Sequence, residues 1–506
     1  MTGELSTHLT SGRLLARNTV YNLIGQVLPL IAAFFSIPFL IDGLGTDRFG
    51  VLMLVWMVIG YFSLFDMGLG RALTKLIAEK LGSGEMIEIP ALTGTGLFLM
   101  GVLGLVGTVA ATALTPWLVH NALKIPPVLQ IETSRAFFLL SVSIPVVIGT
   151  AGLRGILEAY QHFGAINMLR VPMGIFTFIG PLIVILFSNS LVTVVAVLVA
   201  GRALSWALHL IVCLRFITVL RLGIKLKISL ILPLLGFGGW MTISNIIGPL
   251  MVYFDRFLIG ALVSMAAVAY YTTPYEVVTK LWFIPGALVF VLYPAFSTMV
   301  GHDPIRTARF FTRGTNYVLM ALFPLILITI TLSHEGLSLW IGPEFADKST
   351  QVLRWIALGV FINSLGQIPY AFLQGSGRPD ITAKLHLMEL FFYLPAVWLM
   401  IVVYGIEGAA AAWAARMVVD TLILFGISQR ILITADFLQK RFIFIVIGAL
   451  FAMGLGFFVV GAVFKAFFIF FTLAIFFATE YLFILSTDEK AYFLSRFKLI
   501  PLFNIR

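Results

Sequence analysis

Across 506 residues, 60% of the side chains are hydrophobic, only 11% are charged, and the formal net charge is +10. A soluble chain of this length divides into domains with polar surfaces, so the composition excludes a soluble globule and makes lipid part of the solvent. One cysteine, Cys213, excludes an intrachain disulfide.

Crossing about 30 Å of hydrocarbon takes about 20 helical residues. In chain order, apolar stretches of that length predict fourteen spans: 18–41, 49–69, 91–115, 136–157, 170–187, 191–214, 230–256, 269–299, 314–334, 353–374, 384–403, 408–428, 442–462 and 466–486. None alternates in the manner of a barrel strand. The polar stretch 1–17 lacks a small-residue cleavage site before the first span and reads as a retained terminus. Lysine and arginine set the orientation. With both termini in the cytoplasm, most of the 33 basic residues fall in cytoplasmic segments, among them Arg215, Arg221, Lys225 and Lys227 after the sixth span and Arg306, Arg309 and Arg313 after the eighth. External loops such as 42–48 carry few. This is the positive-inside bias. It explains the net charge by topology and affinity for anionic lipid, and leaves no case for nucleic acid.

The chain resembles itself at an offset of about 220 residues. Asn22-Leu23-Ile24-Gly25 in the first span answers Asn245-Ile246-Ile247-Gly248 in the seventh, and Leu157 to Phe163 and Leu373 to Pro379 occupy equivalent loops. The expected organisation is a cytoplasmic N-terminus (1–17), a six-helix bundle (18–214), a basic linker (215–229), a second six-helix bundle (230–428), two further helices (429–486) and a cytoplasmic tail (487–506). Repeated halves commonly enclose a site near the midplane and rock about it.

Several segments carry a family likeness. Asn18 to Gly50 with its Leu44-Gly45 and Phe49-Gly50 turn, Phe65-Asp66-Met67-Gly68-Leu69-Gly70 leading to Leu76-Ile77-Ala78-Glu79, Tyr270-Tyr271, and Leu373-Gln374-Gly375-Ser376-Gly377-Arg378 together resemble the polysaccharide biosynthesis flippases. These belong to the multidrug, oligosaccharidyl-lipid and polysaccharide exporter superfamily. The resemblance implies an all-α polytopic fold, a V-shaped pair of bundles around a central cavity open alternately to either side, and a location in a bacterial inner membrane. It also implies an undecaprenyl- or polyprenyl-pyrophosphate-linked oligosaccharide as cargo, with membrane lipids and other polysaccharide assembly proteins as partners.

Ionisable side chains inside a span mark function by default, because lipid penalises them. Arg202 in the sixth span, Lys280 in the eighth, and Arg416 and Asp420 in the twelfth lie near the midplane, with Glu276 one turn from Lys280. Glu276/Lys280 and Arg416/Asp420 are each spaced i, i+4, so each pair can also neutralise itself along its own helix. Arg202 has no such neighbour. Guanidinium forks and an ammonium suit phosphate, which makes Arg202, Lys280 and Arg416 candidate cargo-binding cations and Glu276 and Asp420 candidates for lining the cavity or coupling an ion. Asp66, Arg71 and Lys75 at the cytoplasmic end of span two, and Asp255 and Arg256 at the external end of span seven, read as solvated ends or as gate contacts. Glu389, His209 and His386 sit near span ends and take the same two readings, with each lone histidine read as structural in preference to a proton relay. Pro274, Pro285 and Pro294 in span eight are hinge candidates, as are Pro29 and Pro38 in span one. Tyr253, Tyr270, Tyr271, Tyr275 and Trp282 gather on the same spans and fit an interfacial belt or a sugar-stacking surface.

The sequence has no Walker loop, no clustered Cys and His set, no H-E-x-x-H and no G-x-S-x-G. No catalytic residue, cofactor or metal centre is expected. The competing readings are a multidrug antiporter or lipid II exporter of the same superfamily, and a membrane-embedded polymerase or ligase. External loops of only about 20 residues, against a span of similar length, disfavour the enzyme.

Overall fold

The computed structural model describes residues 12–62, 66, 68–217, 225–300, 302–432, 440–484 and 490. Residues 1–11 of the expected N-terminus, linker positions 218–224 with Arg221, and tail residues 491–506 lie outside them. Among the described residues every regular element is helical, because hydrocarbon offers no partner for backbone N–H and C=O groups other than those within the segment. In chain order the helices are α1 Gly12–Leu44, α2 Thr46–Phe62, α3 Leu69–Ser83, α4 Ile89–Trp117, α5 Pro127–Val142, α6 Ile144–Ala159, α7 Phe163–Ile185, α8 Leu191–Phe216, α9 Ile231–Leu262, α10 Met265–Val278, α11 Phe283–Met299, α12 Pro304–Thr331, α13 Ser333–Trp340, α14 Pro343–Gly375, α15 Pro379–Ile431, α16 Lys440–Gly456 and α17 Ala462–Thr479.

Ten described stretches are long and apolar enough to cross a membrane. The expected fourteen is not reached by that measure, partly because one stretch, Pro379–Ile431, carries two expected spans. In α15, spans 384–403 and 408–428 meet at Gly405, whose backbone turns at φ 61° and ψ −140°. A side chain at Gly405 would be strained, and a Cβ on nearby Gly408 would sit 2.0 Å from the Met400 carbonyl oxygen. The glycines let 379–404 and 406–431 fold back on each other. Large apolar side chains such as Val109, Phe391, Phe451 and Phe470 stay about two-thirds exposed or more, which in this composition is a surface for acyl chains.

The chain forms two compact units, Met1–Ala269 and Tyr270–Arg506. Within the first, the glycine-rich stretch after α2 has a clear physical function. Asp66 accepts the backbone N–H groups of Gly68 and Gly70 at 2.9 and 3.0 Å, capping the start of α3. Gly68 takes the left-handed conformation, φ 71°. At the α3–α6 crossing, a Cβ on Gly155 would lie 2.5 Å from the Gly70 carbonyl oxygen, and Thr74 Oγ1 bonds the Gly155 carbonyl at 3.0 Å. Small residues thus permit backbone contact between helices, the usual basis of packing in lipid.

In this unit the linker end is pinned to α4. Lys227 N–H donates to Thr95 Oγ1 at 3.0 Å, and Glu88 meets Lys80 at 2.8 Å and Lys227 at 3.4 Å. Hydrogen bonding from Lys80, then from Lys227, holds the Glu88 carboxyl below the usual carboxylate range.

In the second unit α14 is the central helix, packing against α11, α12, α13 and α15. The two further helices dock through Arg354 of α14. Its guanidinium donates to Ser333 Oγ at 2.9 Å and to the Phe457 carbonyl at 3.0 Å and lies over the Phe457 ring. Beside it, Lys465 Nζ meets both Glu335 carboxylate oxygens at 2.7 and 2.9 Å.

Candidate functional site

The α15 hairpin concentrates charge. His386, Glu389 and Tyr393 follow one another at spacings of three and four and so share a face of its first limb, while Arg416 and Asp420 share a face of the second. The Gly405 turn sets these faces together. Arg416 Nε donates to Glu389 Oε2 at 3.2 Å, with the Glu389 and Arg416 side chains 6% and 13% exposed. Its guanidinium also lies over the Tyr393 ring, 5.1 Å from the centroid. Asp420, deeply buried, has His386 Nε2 at 4.0 Å, and Tyr370 of α14 stacks on the His386 ring at 6.0 Å. The ligand atoms of His386, Glu389 and Asp420 all lie within 4.8 Å of one another. Arg416 therefore does not neutralise Asp420 along its own helix. It is held across the hairpin by Glu389, a residue the sequence placed at a span end, and His386 belongs to the same cluster.

Glu276 and Lys280 do pair along their own segment, at 3.0 Å, with both side chains about two-fifths exposed. Lys280 sits in the short 3₁₀ turn Thr279–Trp282 between α10 and α11. Proline chemistry accounts for that turn. Pro285 has no N–H for the Leu281 carbonyl, so the regular ladder cannot run through. Pro274 and Pro294 lie inside α10 and α11. Around this turn Tyr275 meets Trp413 edge-on at 5.4 Å, and Trp282 lies 6.3 Å from the same indole. Trp413 is one turn from Arg416, so aromatic packing connects the Lys280 segment to the charged hairpin. Tyr271 and Tyr275 are buried in this packing, not arranged as an interfacial belt.

Arg202 stands in the first unit, on α8, half-buried, with no hydrogen bond or ion pair among the described residues. Asp66 is engaged in capping α3, and Arg71 is exposed. Asp255 and Arg256 are fully buried, and joined at 2.9 Å, in place of a solvated helix end. His209 is buried and its Nδ1 donates to the Ser205 carbonyl at 2.8 Å, a local structural bond.

Glu389, His386, Trp413 and Arg354 are the residues that sequence reasoning undervalued. One signal was available for the first two. In an antiparallel pair turning at Gly405, Glu389 and His386 fall at the depth of Arg416 and Asp420, whereas counting inward from the nearest span end puts them at the interface. No comparable signal marks Arg354, whose partners are backbone carbonyls and a hydroxyl distant in sequence.

Comparison with known proteins adds three findings. A family model described as polysaccharide biosynthesis protein matches residues 15–300. A Shigella flexneri protein, provisionally named an O-antigen transporter, is 32% identical over 412 residues, covering 81% of this chain and 96% of the relative. Two solved structures share the fold at 12% identity and a TM-score of 0.67. One is an inward-facing multidrug resistance MATE family transporter of the MOP superfamily, matched over 81% of this chain and 98% of its own. The other is lipid II flippase MurJ in an inward closed conformation, matched over 92% and 99%.

Proposed function

Because the chain belongs to the polysaccharide biosynthesis protein family, we propose that it is a flippase for a polyprenyl-pyrophosphate-linked oligosaccharide, an O-antigen or other surface-polysaccharide repeat unit. It moves this cargo across a bacterial inner membrane by alternating access, with both termini in the cytoplasm. The observation that carries the reading is Arg202. A guanidinium near mid-span with no hydrogen bond or ion pair among the described residues costs several kcal/mol unless water or an anion meets it, and its fork matches phosphate oxygens in a bidentate way. Lys280, half-exposed beside Glu276, supplies a second cation that a polyanion can draw away from a weak partner. Arg416, held by Glu389, completes the cargo-binding set from a fixed position. The polyprenyl tail stays in the bilayer.

In this account the proline-bracketed turn at Lys280 is the flexible element and Glu276 and Asp420 are lining and ion-coupling groups. The O-antigen transporter name of the Shigella flexneri relative supports the cargo class. A multidrug antiporter is disfavoured, since a cation-rich site repels flat cationic drugs. The test is deletion in the native host. The expected result is loss of surface polysaccharide with lipid-linked repeat units accumulating at the cytoplasmic leaflet and drug susceptibility unchanged. Altered susceptibility with normal glycan would instead support the antiporter.

A further inference from the structure

The segment around Lys280 presents a mixed stripe that phosphate recognition alone does not use. Glu276, Lys280 and Phe283 follow one another at spacings of four and three, and the 3₁₀ turn Thr279–Trp282 eclipses residues three apart, so the three side chains share one face. All three are open. The Glu276 and Lys280 side chains are 38% and 43% exposed, and Phe283 is 58% exposed. They lie well inside the apolar stretch Met265–Met299. An open ion pair at that depth requires water, because acyl chains leave both charges unsolvated, so the stripe looks onto a wet surface and Phe283 looks onto it too. The wall behind is fixed: Tyr275 and Trp282 both pack against the buried Trp413.

A carboxylate, an ammonium and an open aromatic face match the parts of a sugar phosphate. The ammonium meets phosphate oxygens as a point charge. The aromatic ring offers area for the C–H face of a pyranose. The carboxylate accepts charge-assisted bonds from hydroxyl or amide donors. Pairing sets the order of events. Lys280 Nζ donates to Glu276 Oε2 at 3.0 Å in an open and therefore weak pair. A phosphate that draws Lys280 away leaves Glu276 as an unneutralised carboxylate, and the first sugar, joined to that phosphate through a single oxygen, lies beside it. There the carboxylate gains from hydroxyl, acetamido or ammonium donors and repels a second carboxylate. We propose that Glu276 selects the first sugar of the cargo, favouring a neutral or amino sugar over a uronate, with Phe283 as the stacking surface and Lys280 on the adjoining phosphate. This gives chemical content to the lining role proposed for Glu276, and it rests on the flippase reading, since a sugar-phosphate cargo is what brings these groups together.

The test compares two synthetic short-chain polyprenyl pyrophosphates, one carrying N-acetylglucosamine and the other glucuronic acid, titrated into purified full-length protein at one pH and ionic strength. The wild type is expected to bind the N-acetylglucosamine lipid roughly tenfold or more tightly than the glucuronic acid lipid. Glu276→Gln should bring the two affinities within about threefold, chiefly by tighter binding of the acidic lipid. Lys280→Gln should weaken both lipids by a similar factor and keep the wild-type ratio, because it acts on the phosphate that they share, and Phe283→Leu should likewise weaken both. Equal affinity of the wild type for the two lipids, a comparison that requires no variant to fold, overturns the proposal and leaves the flippase reading standing. So does a folded Glu276→Gln that keeps the wild-type ratio. Absence of saturable binding of either lipid overturns the flippase reading and this inference with it.

Discussion

Arg416 reaches across the Gly405 turn to Glu389, 3.2 Å away, and leaves Asp420, one turn along its own helix, facing His386. An i, i+4 pair within one helix adds only tenths of a kcal/mol to that helix. A pair that bridges two helices out of water ties their register together, and removing one partner strands the other. Arg416→Leu is therefore expected to destabilise the protein by about 3 kcal/mol, while Arg416→Leu with Glu389→Leu recovers most of the loss. Thermal denaturation of the wild type, Arg416→Leu, Glu389→Leu and the double variant in one detergent measures the coupling. Single-variant losses that simply add in the double variant would show that the two residues do not depend on each other.

The docking of α16 and α17 depends on Arg354. Charge-assisted bonds to Ser333 and to the Phe457 carbonyl are worth about 2 kcal/mol together on a conservative count. Arg354→Leu should expose the amides of Lys440–Gly456 to hydrogen exchange roughly 30-fold faster, as 1.4 kcal/mol corresponds to a factor of ten. Amides in α14 away from this end should change far less.

How much of this was legible in the sequence follows from what each feature depends on. Helical membrane spans were readable because hydropathy and charge-free length are local, and the break at Gly405 falls in the short gap expected between spans 384–403 and 408–428. The Asp66 to Gly70 stretch could be recognised as a family motif before its capping role was visible. Partners were not legible. Arg416 chose Glu389 over Asp420 because of helix-to-helix register, which the spacing along one helix does not encode. The burial of Asp255 and Arg256 likewise depends on what packs around α9. Fourteen spans by hydropathy and ten by helix length and composition differ in part because Pro379–Ile431 runs through a turn that separates two expected spans, and because Thr46–Phe62 and Phe442–Gly456 are shorter than a full crossing.

The α3–α6 crossing gives a steric prediction. Gly155→Val places a Cβ 2.5 Å from the Gly70 carbonyl oxygen, so the helices must separate, at about 1–3 kcal/mol. Gly164→Ala, where an added Cβ meets nothing within 4 Å, should change stability by less than about 0.5 kcal/mol. Expression-normalised thermal stability of both variants distinguishes local overpacking from a general intolerance of larger residues.

Glu88 gives a pH signature for the linker. Because Lys80 and Lys227 lower its folded-state pKa, its contribution is fully present above the ordinary carboxylate range and is lost as pH falls through the lowered value. Protection of the Lys227 amide, corrected for its intrinsic exchange rate, is expected to hold at neutral pH and to decline only in acid below pH ~4, the unperturbed carboxylate range. Glu88→Gln should show the reduced protection already at pH 7. Unchanged protection in that variant would mean that Thr95 alone secures the linker end.

The central claim is that cations within the spans, Arg202 and Lys280 among them, carry a lipid-linked anionic sugar, and reconstitution reads it most directly. Full-length protein is placed in liposomes whose one leaflet holds a fluorescent polyprenyl-pyrophosphate oligosaccharide, and its appearance in the opposite leaflet is followed by quencher access. The wild type is expected to move the lipid, and Arg202→Gln with Lys280→Gln to slow it at least tenfold at equal protein incorporation, a barrier increase of about 1.4 kcal/mol or more. Undiminished movement by that double variant would contradict the account.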